Sequence, residues 1–378
     1  MAENFNNDYD AYFKALEKSL EKSRSDTGNT SNNKPEKTDK YKSAETKPTQ
    51  KGIYKVYRLR KSVIAVVVAV VVLVTAIIVI PKGEDGPQTQ TKKPSDNITA
   101  TEDKQTEIVK TQFTANESTV KIPKSNDAKN AIIVDLETNS IVAQRNPHKR
   151  AYPASTTKIM TLLTAVDHIT DFSHTFTMTY EITDPLYVEE ASVAGFLNNE
   201  VVSITDLLYG MILPSGADAA MGLAIHLAGS EEAFVELMNQ KAAELGLENT
   251  HFDNVTGLHS ENNYSTAYDM AIILEAALKN ELCKKILSTY QHTTSKTPQN
   301  PKGILLSSTL FTHMYGTEPE TATILGGKTG YVNESGYCIA SYGSNNQNGN
   351  EYIVVTFGNS SRWPAFYGQI DLYKEFAK

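Results

Sequence analysis

Residues 323–343 read TILGGKTGYVNESGYCIASYG, two apolar runs with turn-forming residues between them. TILGGKTG (323–330) and GYCIASYG (336–343) are short, mix β-branched, aromatic and small residues, and are bounded by glycine, which is the signature of connected strands. EYIVVTFG (351–358) repeats the pattern shortly afterwards. Far upstream, AIIVDL (131–136) and SIVAQ (140–144) carry it again, joined by the turn residues Glu137, Thr138 and Asn139. Between the two groups the apolar period becomes helical, at 155–168, 203–213, 217–228, 230–245 and 266–279. A last helix, WPAFYGQIDLYKEFA, closes the chain. Strands at both ends with helices between predict an α+β domain in which helices cover one antiparallel sheet.

That domain begins near residue 119 and runs to residue 378, ample for a large core. Three segments precede it. Residues 1–61 are rich in Asn, Ser, Lys, Thr and Glu, and only DAYFKALEKSLEK has helical spacing, so most of this stretch reads as disordered tail. Residues 62–80, SVIAVVVAVVVLVTAIIVI, carry no charge and end at Pro81, long enough to cross a bilayer as a helix. No small-residue cleavage site follows closely, which favours an uncleaved anchor. Lys51, Lys55, Arg58, Arg60 and Lys61 crowd its N-terminal flank, so the N-terminus is expected in the cytoplasm and everything beyond residue 81 outside. Residues 81–118, dominated by Thr, Lys, Gln, Asp and Pro, read as a spacer.

Charge divides at the same place. Residues 1–61 hold 14 Lys+Arg against 9 Asp+Glu, and the remainder holds 22 against 35, a net of −13. A nucleic-acid partner would want the opposite sign, so none is expected. Only three arginines lie beyond the apolar run: Arg145, Arg150 and Arg362. Cys283 and Cys338 both lie outside as well; they suit either a single disulfide or two buried thiols.

Three short motifs carry candidate chemistry. In AYPASTTKIMTLLTAV, Ser155 and Lys158 stand three apart at the start of a helix, on one face. A serine hydroxyl needs a neighbouring base to act as a nucleophile, and a lysine serves only when burial or a nearby cation lowers its pKa. Ile159, Met160, Leu162 and Leu163 favour that burial. In GGKTGYVNESGY, Lys328 and Thr329 offer a cation and a hydroxyl suited to a carboxylate, while flanking glycines allow close backbone approach. Lys328 is also a candidate for the cation that lowers Lys158. In LPSGADAAMGLA (213–224), Ser215 and Asp218 fit a helix capping box, but the serine sits between the other two motifs in chain order.

S-x-x-K, a serine motif 60 residues on and K-T-G 113 residues later follow the order of the penicillin-binding protein and class A β-lactamase group. Over roughly residues 127–378 the chain resembles the serine D-alanyl-D-alanine carboxypeptidases, the low-molecular-mass penicillin-binding proteins of the peptidase S11 type. AYPASTTKIMT, LLYGMILPSGADAA, AFVELMNQKAAELGLENTHFDNVTGL and YSTAYDMA carry the likeness beyond the three motifs.

The resemblance implies a β-lactamase/transpeptidase-like fold with a five-stranded antiparallel sheet. It implies an acyl-enzyme that removes the terminal D-alanine of peptidoglycan pentapeptides, binds β-lactams, and needs neither metal nor cofactor. By position, Ser155 is the expected nucleophile and Lys158 its base, with Ser215 relaying a proton to the leaving D-alanine. The backbone amides of Ser155 and Tyr331 are the expected oxyanion hole. Lys328 and Thr329 of Lys328–Thr329–Gly330 are the expected carboxylate-binding groups. Arg362 in GNSSRW is a further candidate contact for that carboxylate.

Two features depart from the pattern. The S-x-N motif of the family reads S-x-A here, so Ala217 stands where an amide usually faces the lysine and the substrate; either a water or another side chain substitutes, or turnover is reduced. The chain also stops soon after the catalytic domain, where many relatives continue into a β-rich domain and a C-terminal anchor. Other readings fare worse. No E-x-x-L-N-like segment lies between Ser215 and Lys328 to supply the deacylating glutamate of a class A β-lactamase. His251, Asp253 and His259 fit no zinc-peptidase pattern. The rival from another class is a non-catalytic β-lactam sensor or peptidoglycan-binding homologue, motivated by Ala217.

Overall fold

The computed structural model describes residues 111–314 and 319–378; the tail, the apolar run at 62–80 and the spacer up to residue 110 lie outside them. Among the described residues no helix is long and apolar enough to cross a membrane. The central sheet has six strands among the described residues, in the order β1-β3-β2-β10-β9-β8. These are β1 (Thr114–Lys121), β2 (Asn130–Asp135), β3 (Ser140–Arg145), β8 (Ala322–Val332), β9 (Gly336–Asn345) and β10 (Glu351–Asn359).

Five strands are antiparallel, as expected. The sixth, β1, corrects the five-strand expectation: it runs parallel to β3, with an irregularity between Ala115 and Val120. Its sequence TANESTVK is exposed at nearly every position, so it carries no apolar alternation to announce a strand. The strand starts at Thr114, and Phe113 before it is buried.

β2 and β10 lie at the centre, paired with Val134 opposite Ile353 and Ile132 opposite Val355. Ile132, Val134, Ile353 and Val355 feed one apolar cluster, whereas Ile133, Tyr352 and Val354 feed the other, on the opposite face. Each such fully buried aliphatic side chain contributes about 1.5–3 kcal/mol, and the period of two explains why the strands read as continuous apolar runs.

The first cluster is built with α1 (Lys158–His168), α3 (Ile204–Ile212), α4 (Ala217–Ala228), α5 (Glu231–Leu245) and α6 (Ala267–Lys279). The second is covered by the last helix, which with α2 (Tyr180–Val188), α7 (Glu281–Leu287) and α8 (Phe311–Met314) between them becomes α9 (Arg362–Phe376). Most of the long helices match their predicted spans to within a residue or two, whereas α1, expected from residue 155, begins at Lys158; side-chain caps mark three of the starts. Ser203 caps α3 by accepting from the Asp206 amide at 3.0 Å, Ser230 caps α5, and Thr266 caps α6. Short elements carried no usable period: α2, α7, α8, the ribbon of β4 (Thr175–Thr177) with β5 (Val201–Ser203), and the hairpin of β6 (Gln291–Thr293) with β7 (Leu305–Ser307).

Candidate active site

α1 does not start as an α-helix. Residues Ala154–Thr157 form a 3₁₀ turn that carries Ser155, and the α-helix proper begins at Lys158. Ala154 holds a left-handed φ of 49°, an uncommon conformation for a residue with a Cβ. Two glycines make room for it. A Cβ on Gly257, itself at φ 78°, would stand 1.9 Å from the Ala154 carbonyl oxygen. A Cβ on Gly330 would stand 2.8 Å from the Ser155 nitrogen. Lys328–Thr329–Gly330 on edge strand β8 is thereby brought against the turn that presents Ser155.

Lys158 Nζ donates to Ser155 Oγ at 3.1 Å and to the Thr256 backbone carbonyl at 2.5 Å. The lysine is 2 % exposed, and this burial lowers its pKa from 10.5 to about 7, while the negative charge of Asp218 pulls the other way. Burial, rather than a neighbouring cation, is what lowers the pKa of this lysine. Lys328 is buried too, and both burial and the charge of Lys158 hold it well below the usual lysine range. Its Nζ donates to the Thr329 carbonyl at 2.8 Å.

A cavity of about 570 Å³ opens over the pair, lined among others by Ser155, Lys158, Ser215, Thr329, Gly330, Tyr331 and Arg362. Of the eight expected site residues only Lys328 is missing from this lining; it lies behind the wall. Thr329 Oγ1 shares a 2.6 Å hydrogen bond with Thr309 Oγ1. Arg362 is the exposed first residue of α9, and Tyr331 is half exposed with its ring 4.4 Å from that of Tyr337.

Ser215 answers the capping question in the negative. The N-cap of α4 is Gly216, without a side-chain cap bond. Ser215 is buried at φ 68° and its hydroxyl has no hydrogen-bond partner among the described residues. Asp218 turns elsewhere, accepting from the amides of Ala194, Gly195, Phe196 and Ala219 at 2.7–3.2 Å. Ser215 is therefore a free hydroxyl at the cavity, held there by a left-handed backbone.

Some contributors were not singled out from sequence. The Thr256 carbonyl is aimed by Asn254, whose Oδ1 accepts from the amides of Thr256 and Gly257 at 3.2 and 2.7 Å. The segment N-V-T-G within HFDNVTGL was the available signal, an Asn folding back onto a following glycine. Thr309, remote in sequence, gave no signal.

Residues 114–361 match the profile of the D-alanyl-D-alanine carboxypeptidase family, peptidase S11. The chain belongs to this family. Among the curated peptidase S11 relatives, the D-alanyl-D-alanine carboxypeptidase DacF of Bacillus subtilis is 34% identical over 243 residues, 63% of this chain and 59% of that protein. DacD of Escherichia coli is 30% identical over 247 residues, 61% and 58% of the two chains. The chain thus spans about three fifths of the length of these curated relatives. The crystal structure of the Streptomyces K15 DD-transpeptidase superposes with a TM-score of 0.57 at 26% identity, covering 66% of this chain and 97% of that one. The D-alanyl-D-alanine carboxypeptidase of Mycobacterium tuberculosis H37Rv superposes with a TM-score of 0.58 at 26% identity, covering 68% and 94%. The fold is the transpeptidase-like α+β fold.

Against that S11 frame, Ala217 is buried at the cavity with its amide bonded to the Ser192 carbonyl at 2.8 Å. No side chain replaces the usual asparagine on Lys158; the second acceptor of the lysine is the Thr256 backbone carbonyl. Cys283 and Cys338 are free and buried, and burial pushes their thiols up to about 12 and about 11, far from reactive thiolates. His251, Asp253 and His259 turn to Asn262, Ser260 and Glu334 respectively. Among the described residues no group of His, Cys, Asp and Glu could hold a metal.

Proposed function

We propose that this protein is a serine D,D-carboxypeptidase that removes the terminal D-alanine from peptidoglycan stem peptides. The observation that carries the reading is the 3.1 Å contact between Lys158 Nζ and Ser155 Oγ at a buried lysine whose pKa is near neutrality. A base poised near the working pH combines a usable neutral fraction with real proton affinity.

In the proposed reaction, neutral Lys158 takes the Ser155 proton as Oγ attacks the carbonyl of the penultimate D-alanine. Negative charge develops on that carbonyl oxygen, where the amides of Ser155 and Tyr331 would meet it; one such donor is commonly worth about 10²–10³ in rate. Ser215 relays a proton to the departing amine as the C–N bond breaks, leaving free D-alanine and an ester on Ser155. Water then adds to the ester, and the proton taken from it returns Oγ to the hydroxyl. Thr329 and Arg362 hold the terminal carboxylate, with buried Lys328 behind Thr329 supporting that end electrostatically. A β-lactam would acylate the same serine.

The domain acts outside the cell membrane in this reading. The uncharged run at 62–80 with its basic flank supports a single-pass helix, N-terminus in the cytoplasm, in a bacterial envelope, with 81–118 as the tether. Ala217 favours a second reading, a penicillin-binding sensor that acylates without turnover.

The test is to incubate the protein and its Ser155→Ala variant with a fluorescent penicillin and with a peptide ending in D-Ala-D-Ala. Labelling of the wild type alone, together with D-alanine release, is expected. Labelling without release would favour the sensor. No labelling of either protein would end the enzyme reading.

A further inference from the structure

The cavity has a thin wall. Residues Glu190 and Ala191 line it on one side and also line a second cavity, of about 710 Å³, on the other. That second space is bounded by Tyr187, Val193, Phe196 and Leu197 and reaches down to Asp218. Ala194 and Phe196 anchor the wall segment in the core, and its backbone is held by hydrogen bonds. Those bonds converge on the first turn of α4. Ala217 donates its amide to the Ser192 carbonyl at 2.8 Å. Asp218 Oδ1 accepts from Ala194 at 2.7 Å, and Oδ2 accepts from Gly195 at 3.0 Å and Phe196 at 3.2 Å.

Asp218 is 1 % exposed and meets no cation in an ion pair. With the Ala219 amide on Oδ1, both oxygens face two N–H donors each, an arrangement that only the acceptor-only carboxylate satisfies. Burial pushes the Asp218 carboxyl up while these amides pull it down, and the charge it carries lies close to α1, which starts at Lys158 and packs against α4. Gly216 completes the fit, since a Cβ there would stand 2.7 Å from Asp218 Oδ1 and 2.8 Å from the Ala194 nitrogen.

Building on the carboxypeptidase reading, we propose that Asp218 is a positioning residue for acylation: its carboxylate clamps the wall segment 191–196 against α4 and sets a negative charge beside the helix that begins at Lys158. The first role fixes the side of the cavity beside Ser215 and Ala217. The second opposes the burial that lowers Lys158. The other groups facing Lys158 are the Ser155 hydroxyl on its own turn, the Thr256 carbonyl, and Lys328 on β8, whose own pKa is lowered by burial and by the charge of Lys158.

The test is Asp218→Asn in the full chain, read in two ways. Hydrogen exchange reads the clamp without any activity. Peptides spanning 191–197 should exchange about tenfold faster or more, with the protection of β2 and β10 retained. Penicillin acylation against pH reads the electrostatics. Its rate should fall about tenfold or more through misplacement of the wall. Its acid limb should also move to lower pH, because removing the negative charge makes Lys158 easier to deprotonate. Faster exchange throughout the domain would overturn the clamp, and a lower rate with an unmoved acid limb would overturn the electrostatic half. If the wild type resists acylation, the carboxypeptidase reading fails and the exchange measurement alone decides the clamp.

Discussion

At the scale of single residues the catalytic geometry rests on an ammonium group removed from water. Lys158 reaches about 7 by burial, far from its unfolded value near 10.5, so the unfolded chain binds more protons throughout that interval. Stability should therefore rise with pH between the two values, and the cost of the buried charge should be fully present below pH 7. Lys158→Met should abolish acylation yet raise the melting temperature at pH 6, with the gain shrinking as the pH is raised toward 10; scanning calorimetry at several pH values measures it. Ala217→Asn is a second case. Lys158 already has its two acceptors in Ser155 and Thr256, so a new amide has only the substrate to serve. The variant should lower KM for D-Ala-D-Ala peptides several-fold and leave the acid limb of kcat/KM in place, as steady-state kinetics across pH will show.

At the scale of elements, Ser155 is held by pieces distant in sequence. The 3₁₀ turn at Ala154–Thr157 owes its left-handed entry to two glycines, Gly257 and Gly330. Gly257→Ala should be severe, since its Cβ would overlap the Ala154 carbonyl and its φ of 78° disfavours any Cβ. We expect penicillin acylation to fall about a hundredfold or more while the fold survives, checked by labelling kinetics alongside circular dichroism. This scale also separates what the sequence made legible from what it did not. Ser155, Lys158 and Lys328–Gly330 were readable because their spacing is local and their chemistry unusual. The wall at 190–196 was not, because its backbone amides pair with Asp218, more than twenty residues away, and its own sequence is ordinary loop. The capping reading of Ser215 and Asp218 failed for the same reason: local pattern offered the nearest amides, and tertiary structure supplied others.

At the scale of the whole domain, the five antiparallel strands and long helices were legible because apolar period and caps agree. The sixth strand was not, since its eight residues are polar and nearly all exposed. Its anchor is Phe113, buried against Tyr268 at a ring distance of 6.2 Å, with the Phe113 amide donating to the Tyr268 hydroxyl at 3.1 Å. A fragment beginning at residue 119 loses that anchor and most of β1. Losing a buried phenylalanine costs about 3–5 kcal/mol, so its melting temperature should fall by on the order of 10 °C relative to a fragment beginning at residue 111. Thermal melts of the two fragments decide it.

The sheet order has a kinetic consequence. β2 sits against β10, and its partners Val134 and Ile353 are roughly 220 residues apart. Contacts this distant are slow to form because a long loop must close first. The helical middle can gather early, but the strand pair at the centre of the sheet cannot zip until Glu351–Asn359 has been made. A chain emerging N-terminus first would therefore expose β2, an uninterrupted apolar strand, throughout its synthesis, and would owe its safe arrival to whatever shields that strand until β10 appears.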